Sequence, residues 1–157
     1  MIGFVLIVVI VMVALLIFLG ISIRGGQNLE ARESRDIQQF LESSMQYTTE
    51  CAISFIPAYS DLAGLSEDCL SGARCLDGRD SCEVYEETLT NLIESSWQVG
   101  KERPIKAYAF KSVYTTNSSE KRIISLLSGN CTENVIGSEF ISPAFPGRIV
   151  SSLELCS

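Results

Sequence analysis

The chain has 157 residues, 46% of them hydrophobic, a formal net charge of −7 and no histidine, but six cysteines. The acidic balance repels nucleic acid phosphates, so no nucleic acid partner is expected. The lack of histidine removes Ser-His-Asp and Cys-His nucleophile activation and most catalytic zinc sites.

Met1 to Ile23 reads MIGFVLIVVIVMVALLIFLGISI, twenty-three positions without a charged side chain. A helix of that length is roughly 35 Å long, against a hydrocarbon core of about 30 Å. Residues 1–24 are therefore expected to form a transmembrane or assembly helix, with Ile2, Phe4, Leu6, Ile10, Leu15 and Phe18 on its packing surface. The run is too long for a signal peptide, and no basic n-region precedes it. Arg24, Arg32 and Arg35 follow the span, which by the positive-inside rule favours a cytoplasmic head. The cysteines favour the opposite orientation, and the two are reconciled if basic residues that fixed topology lay upstream and have been removed.

Gly25 and Gly26 are read as a hinge, since glycine weakens a helix by roughly 1 kcal/mol relative to alanine. Residues 25–56 then carry apolar side chains at three- and four-residue steps (Ile37, Phe40, Leu41, Met45, Ala52 and Phe55) opposite charges at Glu30, Arg32, Glu33, Arg35, Asp36 and Glu42. This pattern predicts an amphipathic stalk helix over Leu29 to Ile53, ended by Pro57. Residues 57–157 form the head. Its first part, Pro57 to Cys82, reads as an irregular excursion broken by Gly64, Gly72 and Gly78. A helix is expected from Ser81 to Val99, with Asp80 or Ser81 at its start, Gly100 at its end and Leu89, Leu92, Ile93 and Trp97 as its stripe.

The remainder reads as three strands. Ile105 to Thr116 alternates, with Tyr108, Phe110, Ser112 and Tyr114 on one face, and Lys121 to Ser128 follows a turn at Asn117-Ser118-Ser119-Glu120. Gly129 to Gly147 reads as a long loop and Arg148 to Cys156 as the last strand. The expected class is α+β: a long N-terminal helix, one further helix and a three-stranded antiparallel sheet.

Cys51, Cys69, Cys75, Cys82, Cys131 and Cys156 are disulfide candidates, implying an oxidising compartment. The first four match no zinc pattern, which ordinarily contains a C-x2-4-C knuckle. Cys75–Cys82 is sterically easy, and Cys51 and Cys69 can tie the stalk to the excursion. Cys131–Cys156 is not expected: a simple hairpin of the last two strands would hold its ends roughly 26 Å apart, whereas bonded cysteines need Cα atoms within about 7 Å. Six cysteines allow fifteen pairings, and these arguments do not choose one. Asn117-Ser118-Ser119 and Asn130-Cys131-Thr132 are candidate glycosylation sites at Asn117 and Asn130. Glu83, Glu86 and Glu87 near a helix start read as a solvated face favoured by the helix dipole. No catalytic motif appears, and no enzyme activity, cofactor or metal is expected.

An apolar segment at residue one, leading through an amphipathic stalk to a small antiparallel sheet, resembles a type IV pilin. MIGFVLIVVIVMVALLIFLG is similar to the N-terminal helices of archaeal pilin-like proteins. The segments QYTTECAISF, CLDGRDSCEVYEETLTNLIESSW, GNCT and SSLELC look like those of cysteine-rich proteins from small-genome archaea. Val5 stands where bacterial pilins carry an acidic residue, and the basic prepilin leader is not in the chain. The resemblance implies a structural subunit of an extracellular filament. Such a subunit is a homo-oligomer, sits in the membrane before assembly and is handled by pilus assembly machinery. The alternatives are a minor pilin or pseudopilin of a secretion or adhesion machine, and a single-pass membrane-anchored binding domain.

Overall fold

The computed structural model describes residues 10–17, 29–54, 58–100, 102–131 and 134–157. The chain divides into two compact units, Met1–Arg32 and Glu33–Ser157. In the first, residues 10–17 are helical (α1) with every side chain exposed, Ile10 and Leu15 included. Among the described residues no helix is long and apolar enough to cross a membrane, which corrects the expected membrane-length helix. Ile2, Phe4, Leu6 and Phe18 and the hinge at Gly25 and Gly26 lie outside the described residues.

Helix α2 (Leu29–Met45) ends eight residues before the expected Ile53. Ile37, Leu41 and Met45, spaced by four, are buried, and the apolar period continues beyond them. The backbone does not. Gln46 and Tyr47 donate to the carbonyls of Ser43 and Ser44, tightening the last turn, and Thr48–Ala52 becomes strand β1. There Thr49 and Cys51 are buried between exposed Thr48 and Glu50, a two-residue alternation that the apolar spacing of three and four had masked.

The expected excursion is ordered. Strand β2 (Tyr59–Asp61) pairs antiparallel with β1, and helix α3 (Leu62–Ser71) follows directly. Asp61 caps α3 by accepting from the Gly64 N–H at 2.7 Å, so Gly64 lies inside a helix instead of breaking one. Gly72, at φ 73°, closes it in the left-handed conformation. Helix α4 (Ser81–Ser96) starts at Asp80 as expected and ends at Trp97, short of Gly100. Leu62, Leu65 and Cys69 of α3 and Tyr85, Leu89 and Ile93 of α4 are buried at helical spacing.

The sheet has four strands, not three. Strands β3 (Ala107–Thr115), β4 (Glu120–Ser128), β5 (Val135–Ala144) and β6 (Gly147–Cys156) lie in the order β4-β3-β6-β5, all antiparallel. Among the described residues the fold is therefore α+β with four helices, a four-stranded sheet and a separate two-stranded hairpin. The additional strand, β5, occupies most of the expected Gly129–Gly147 loop. Gly137 and Pro143 hide it in the sequence, but its position at the edge accommodates proline, which has no N–H to give to a further strand. Of the four residues that the alternation groups on one face of β3, Tyr108, Phe110 and Ser112 are buried and Tyr114 is half-buried, alongside buried Ile149, Ser151 and Leu153 of β6.

The chain reaches β5 from β4 across the end of the sheet, three strand spacings or roughly 14 Å. Gly129 makes the first step at φ 77°, where a Cβ would sit 2.7 Å from the Lys106 carbonyl oxygen. No side chain fits there.

Candidate functional site

The three disulfides determine where the surface features lie. Cys51–Cys75 ties β1 to the loop before α4, and Cys69–Cys82 joins α3 to α4, with Cα separations of 5.1 and 4.6 Å. Cys75–Cys82 does not form; each of these cysteines bonds instead to an element packed beside it. Cys131–Cys156 does form, with Cα atoms 5.4 Å apart, which corrects the hairpin argument. Val135 pairs with Cys156, so Cys131, four residues earlier, stands at the same end of the sheet as the C-terminal end of β6. With every cysteine bonded, Cys51, Cys69, Cys75 and Cys82 offer no thiolate set to a metal. Disulfides form and persist in oxidising settings such as the extracellular space.

The loop between α3 and α4 presents a polar surface held by backbone hydrogen bonds. The Cys75 N–H donates to the Arg79 carbonyl and the Gly78 N–H to the Cys75 carbonyl, while the Leu76 N–H extends the β1 ladder to the Ala52 carbonyl. This places Arg79 beside two carboxylates. Its Nε lies 2.7 Å from Asp77 Oδ2, and Nη2 lies 3.6 Å from Glu50 Oε2. The Arg79 backbone N–H and then its side chain hold the Asp77 carboxyl below its ordinary range, and the Asp77 bond raises the Arg79 guanidinium in return. Both groups are exposed, so this pair contributes little to stability.

Two hollows, of about 430 and 640 Å³, flank this cluster and share Thr49, Glu50 and Arg79. Tyr47 lines the first, Tyr59 and Leu76 the second, and all three are about half exposed. Aromatic side chains around an arginine suit a protein or glycan contact. Arg79 already has two carboxylates, so it offers no unmatched charge to an anion. Thr49 Oγ1 donates to the Ser60 carbonyl at 2.7 Å.

Asn117 is exposed in the β3–β4 turn, where Thr116 Oγ1 and Ser119 Oγ lie 2.8 Å apart. Asn130 is exposed beside bonded Cys131, and Thr132 lies outside the described residues. Glu83, Glu86 and Glu87 are exposed along α4. Trp97 is half-buried, edge-on to Phe40 with centroids 4.5 Å apart. The sequence reading passed over Arg79, Glu50 and the two tyrosines. The run Asp77-Gly78-Arg79-Asp80, a turn signal rich in charge, was their one sequence-level trace.

Comparison with known proteins places the chain in no group. No family model matches it, and neither a curated protein nor a solved structure does.

Proposed function

We propose that the protein is a structural subunit of an extracellular, type IV pilus-like filament. The observation that carries this reading is the uncharged sequence Met1–Ile23 joined to an acidic, disulfide-stapled unit. Some twenty apolar side chains in succession cannot remain in water. Lipid shelters them before assembly; afterwards neighbouring copies do, with about 25 cal/mol gained per Å² of apolar surface buried. The remaining unit suits the outside of such a filament: it carries the whole net charge, and its disulfides hold it together where reductants are scarce. The resemblance of the N-terminal sequence to archaeal pilin-like proteins points the same way. The test is electron microscopy of material sheared from cells that make the protein. Helical filaments with this chain as a major component are expected; a monodisperse membrane-bound protein without filaments overturns the reading.

A second reading, a membrane-anchored domain that binds a ligand through its head, is favoured by the paired hollows around Arg79. The two separate on one substitution. Replacing residues 5–20 by leucine preserves an anchor's function and abolishes ordered assembly of a filament subunit.

A further inference from the structure

The hairpin of β5 and β6 carries an apolar side chain at one end and an apolar cleft at the other. The turn is Phe145-Pro146, with a cis peptide bond, and Phe145 is 100% exposed. At the opposite end of the same two strands lies a cleft of about 300 Å³, lined among others by Asp36, Ile37, Trp97, Ile105, Ile136 and Leu155. From Phe145 to Leu155 is ten residues of strand, roughly 33 Å. The side chain cannot reach the cleft of its own chain.

We infer that Phe145 of one copy inserts into this cleft of the next, a head-to-tail contact that repeats along an assembly. Size and chemistry agree. An apolar cavity of about 150 Å³ accepts benzene, so the cleft has room for a benzyl group. Trp97 supplies an aromatic partner, and aromatic pairs gain beyond simple burial when edge and face meet. Charge agrees as well. Asp36 is the one charged side chain among the described lining residues. Arg148, exposed and paired with Pro143 beside the turn, is the one charged residue within five positions of Phe145. Among the described residues neither takes part in an ion pair, and the contact would bring their opposite charges together. Lys106 and Arg103 lie nearby in sequence but do not line the cleft.

A contact between unlike surfaces at opposite ends does not close on itself as a twofold dimer does. It generates rings or open helical arrays. The inference thereby deepens the filament reading by naming a second contact, between disulfide-stapled units, and rests on that reading for the number of copies that line up.

The test uses the full chain with p-benzoyl-phenylalanine in place of Phe145, irradiated in detergent solution and in sheared surface material. The expected product is an intermolecular cross-link to residues 97–105, 134–136 or 155, growing into a ladder of multiples. Phe145→Ala weakens association of copies about tenfold, the scale of burying part of one large apolar side chain. Its thermal midpoint is unchanged because the side chain touches no core. D36R also weakens association, and D36R combined with R148D restores it. Cross-linking elsewhere, or association indifferent to F145A and D36R, overturns the inference. Filaments without this cross-link overturn it while leaving the filament reading intact. Cross-linked ladders in a preparation that never forms filaments do the reverse.

Discussion

In the sheet, β3 exchanges backbone hydrogen bonds with β4 on one side and β6 on the other along nine residues, and β5 extends the ladder through ten more pairs. The hairpin of β1 and β2 is five residues against three, and α3 has only ten residues. Two of the three disulfides lie on this shorter-element side, Cys51–Cys75 and Cys69–Cys82, and the third closes the end of the sheet where the chain crosses from β4 to β5. Covalent bonds thus concentrate where the backbone ladder is shortest. A short helix is marginal alone, because its nucleation cost is spread over few bonds. Cross-links that restrict the unfolded chain compensate for this.

Removing both helical-side bonds should therefore have the largest effect. Replacing Cys51, Cys69, Cys75 and Cys82 by alanine is expected to cost about 6 kcal/mol, near the whole stability of an ordinary domain. Urea titration measures the loss, and amide exchange locates it, with α3 and β1 losing protection before β3 and β6. Removing Cys131–Cys156 alone should cost about 3 kcal/mol and leave the β3–β6 register protected in the folded fraction. Equal protection of α3 and β3 in the fourfold variant would erase the contrast between the two regions.

Core truncation probes the sheet from the other side. Leu153 on β6 is fully buried in the cluster shared by sheet and helices. Leu153→Ala is expected to cost about 3 kcal/mol, leaving a cavity that the ladder's fixed spacing keeps from collapsing. A loss under about 1 kcal/mol, measured by denaturant midpoint, would mean that the sheet yields more readily than its pairing implies.

The sheet was also the more legible region. Alternation at Tyr108, Phe110 and Ser112 revealed β3, because those positions face the core while Lys111 between them is exposed. The start of α4 was legible because Asp80 satisfies an otherwise orphaned N–H, that of Cys82 at 2.9 Å. Strand β5 was not, since an edge strand tolerates Gly137 and Pro143, the residues that argue against a strand. Missing it reversed the reasoning about Cys131, because an unseen strand carries the chain back along the sheet between the two cysteines. Helix α3 escaped for a similar reason: Gly64 and Gly72 read as breakers, whereas one sits under a capping aspartate and the other forms the C-cap. Of the surface around Arg79 almost nothing was legible. Glu50 and Arg79 are 29 positions apart and are brought together by the Cys51–Cys75 bond and the Leu76–Ala52 backbone hydrogen bond.

Those caps give a smaller measurable effect on the helical side. Asp61→Ala and Asp80→Ala each remove an acceptor from a helix N-terminus and should cost about 1 kcal/mol. Thermal midpoints of the two variants measure it, with asparagine at either position recovering most of the loss. The Asp61 change should be the larger if short α3 depends on its cap more than sixteen-residue α4 does.

The smallest effect lies where the two regions meet. Tyr85 projects from α4 into the sheet, toward Ser112 of β3 and Ser151 of β6, whose hydroxyls lie 3.3 Å from each other. Among the described residues its own hydroxyl finds no hydrogen-bond partner of good geometry. Burial pushes the Tyr85 phenol above its ordinary value, with the two serines opposing part of that rise. The unfolded chain therefore releases this proton first. The associated stability is complete below about pH 10 and is lost as pH rises through the folded value. Burial and then Glu94 raise Tyr108 in the same direction, so one substitution removes only part of the alkaline loss. Tyr85→Phe should leave stability at pH 7 unchanged or higher by up to about 1 kcal/mol, since the hydroxyl it deletes is buried without a partner. Its advantage should widen between pH 9 and 11, read as the difference in thermal midpoint from the parent. Destabilisation at pH 7 would mean instead that the serine pair holds the phenol, joining helix and sheet through a polar contact as well as through packing.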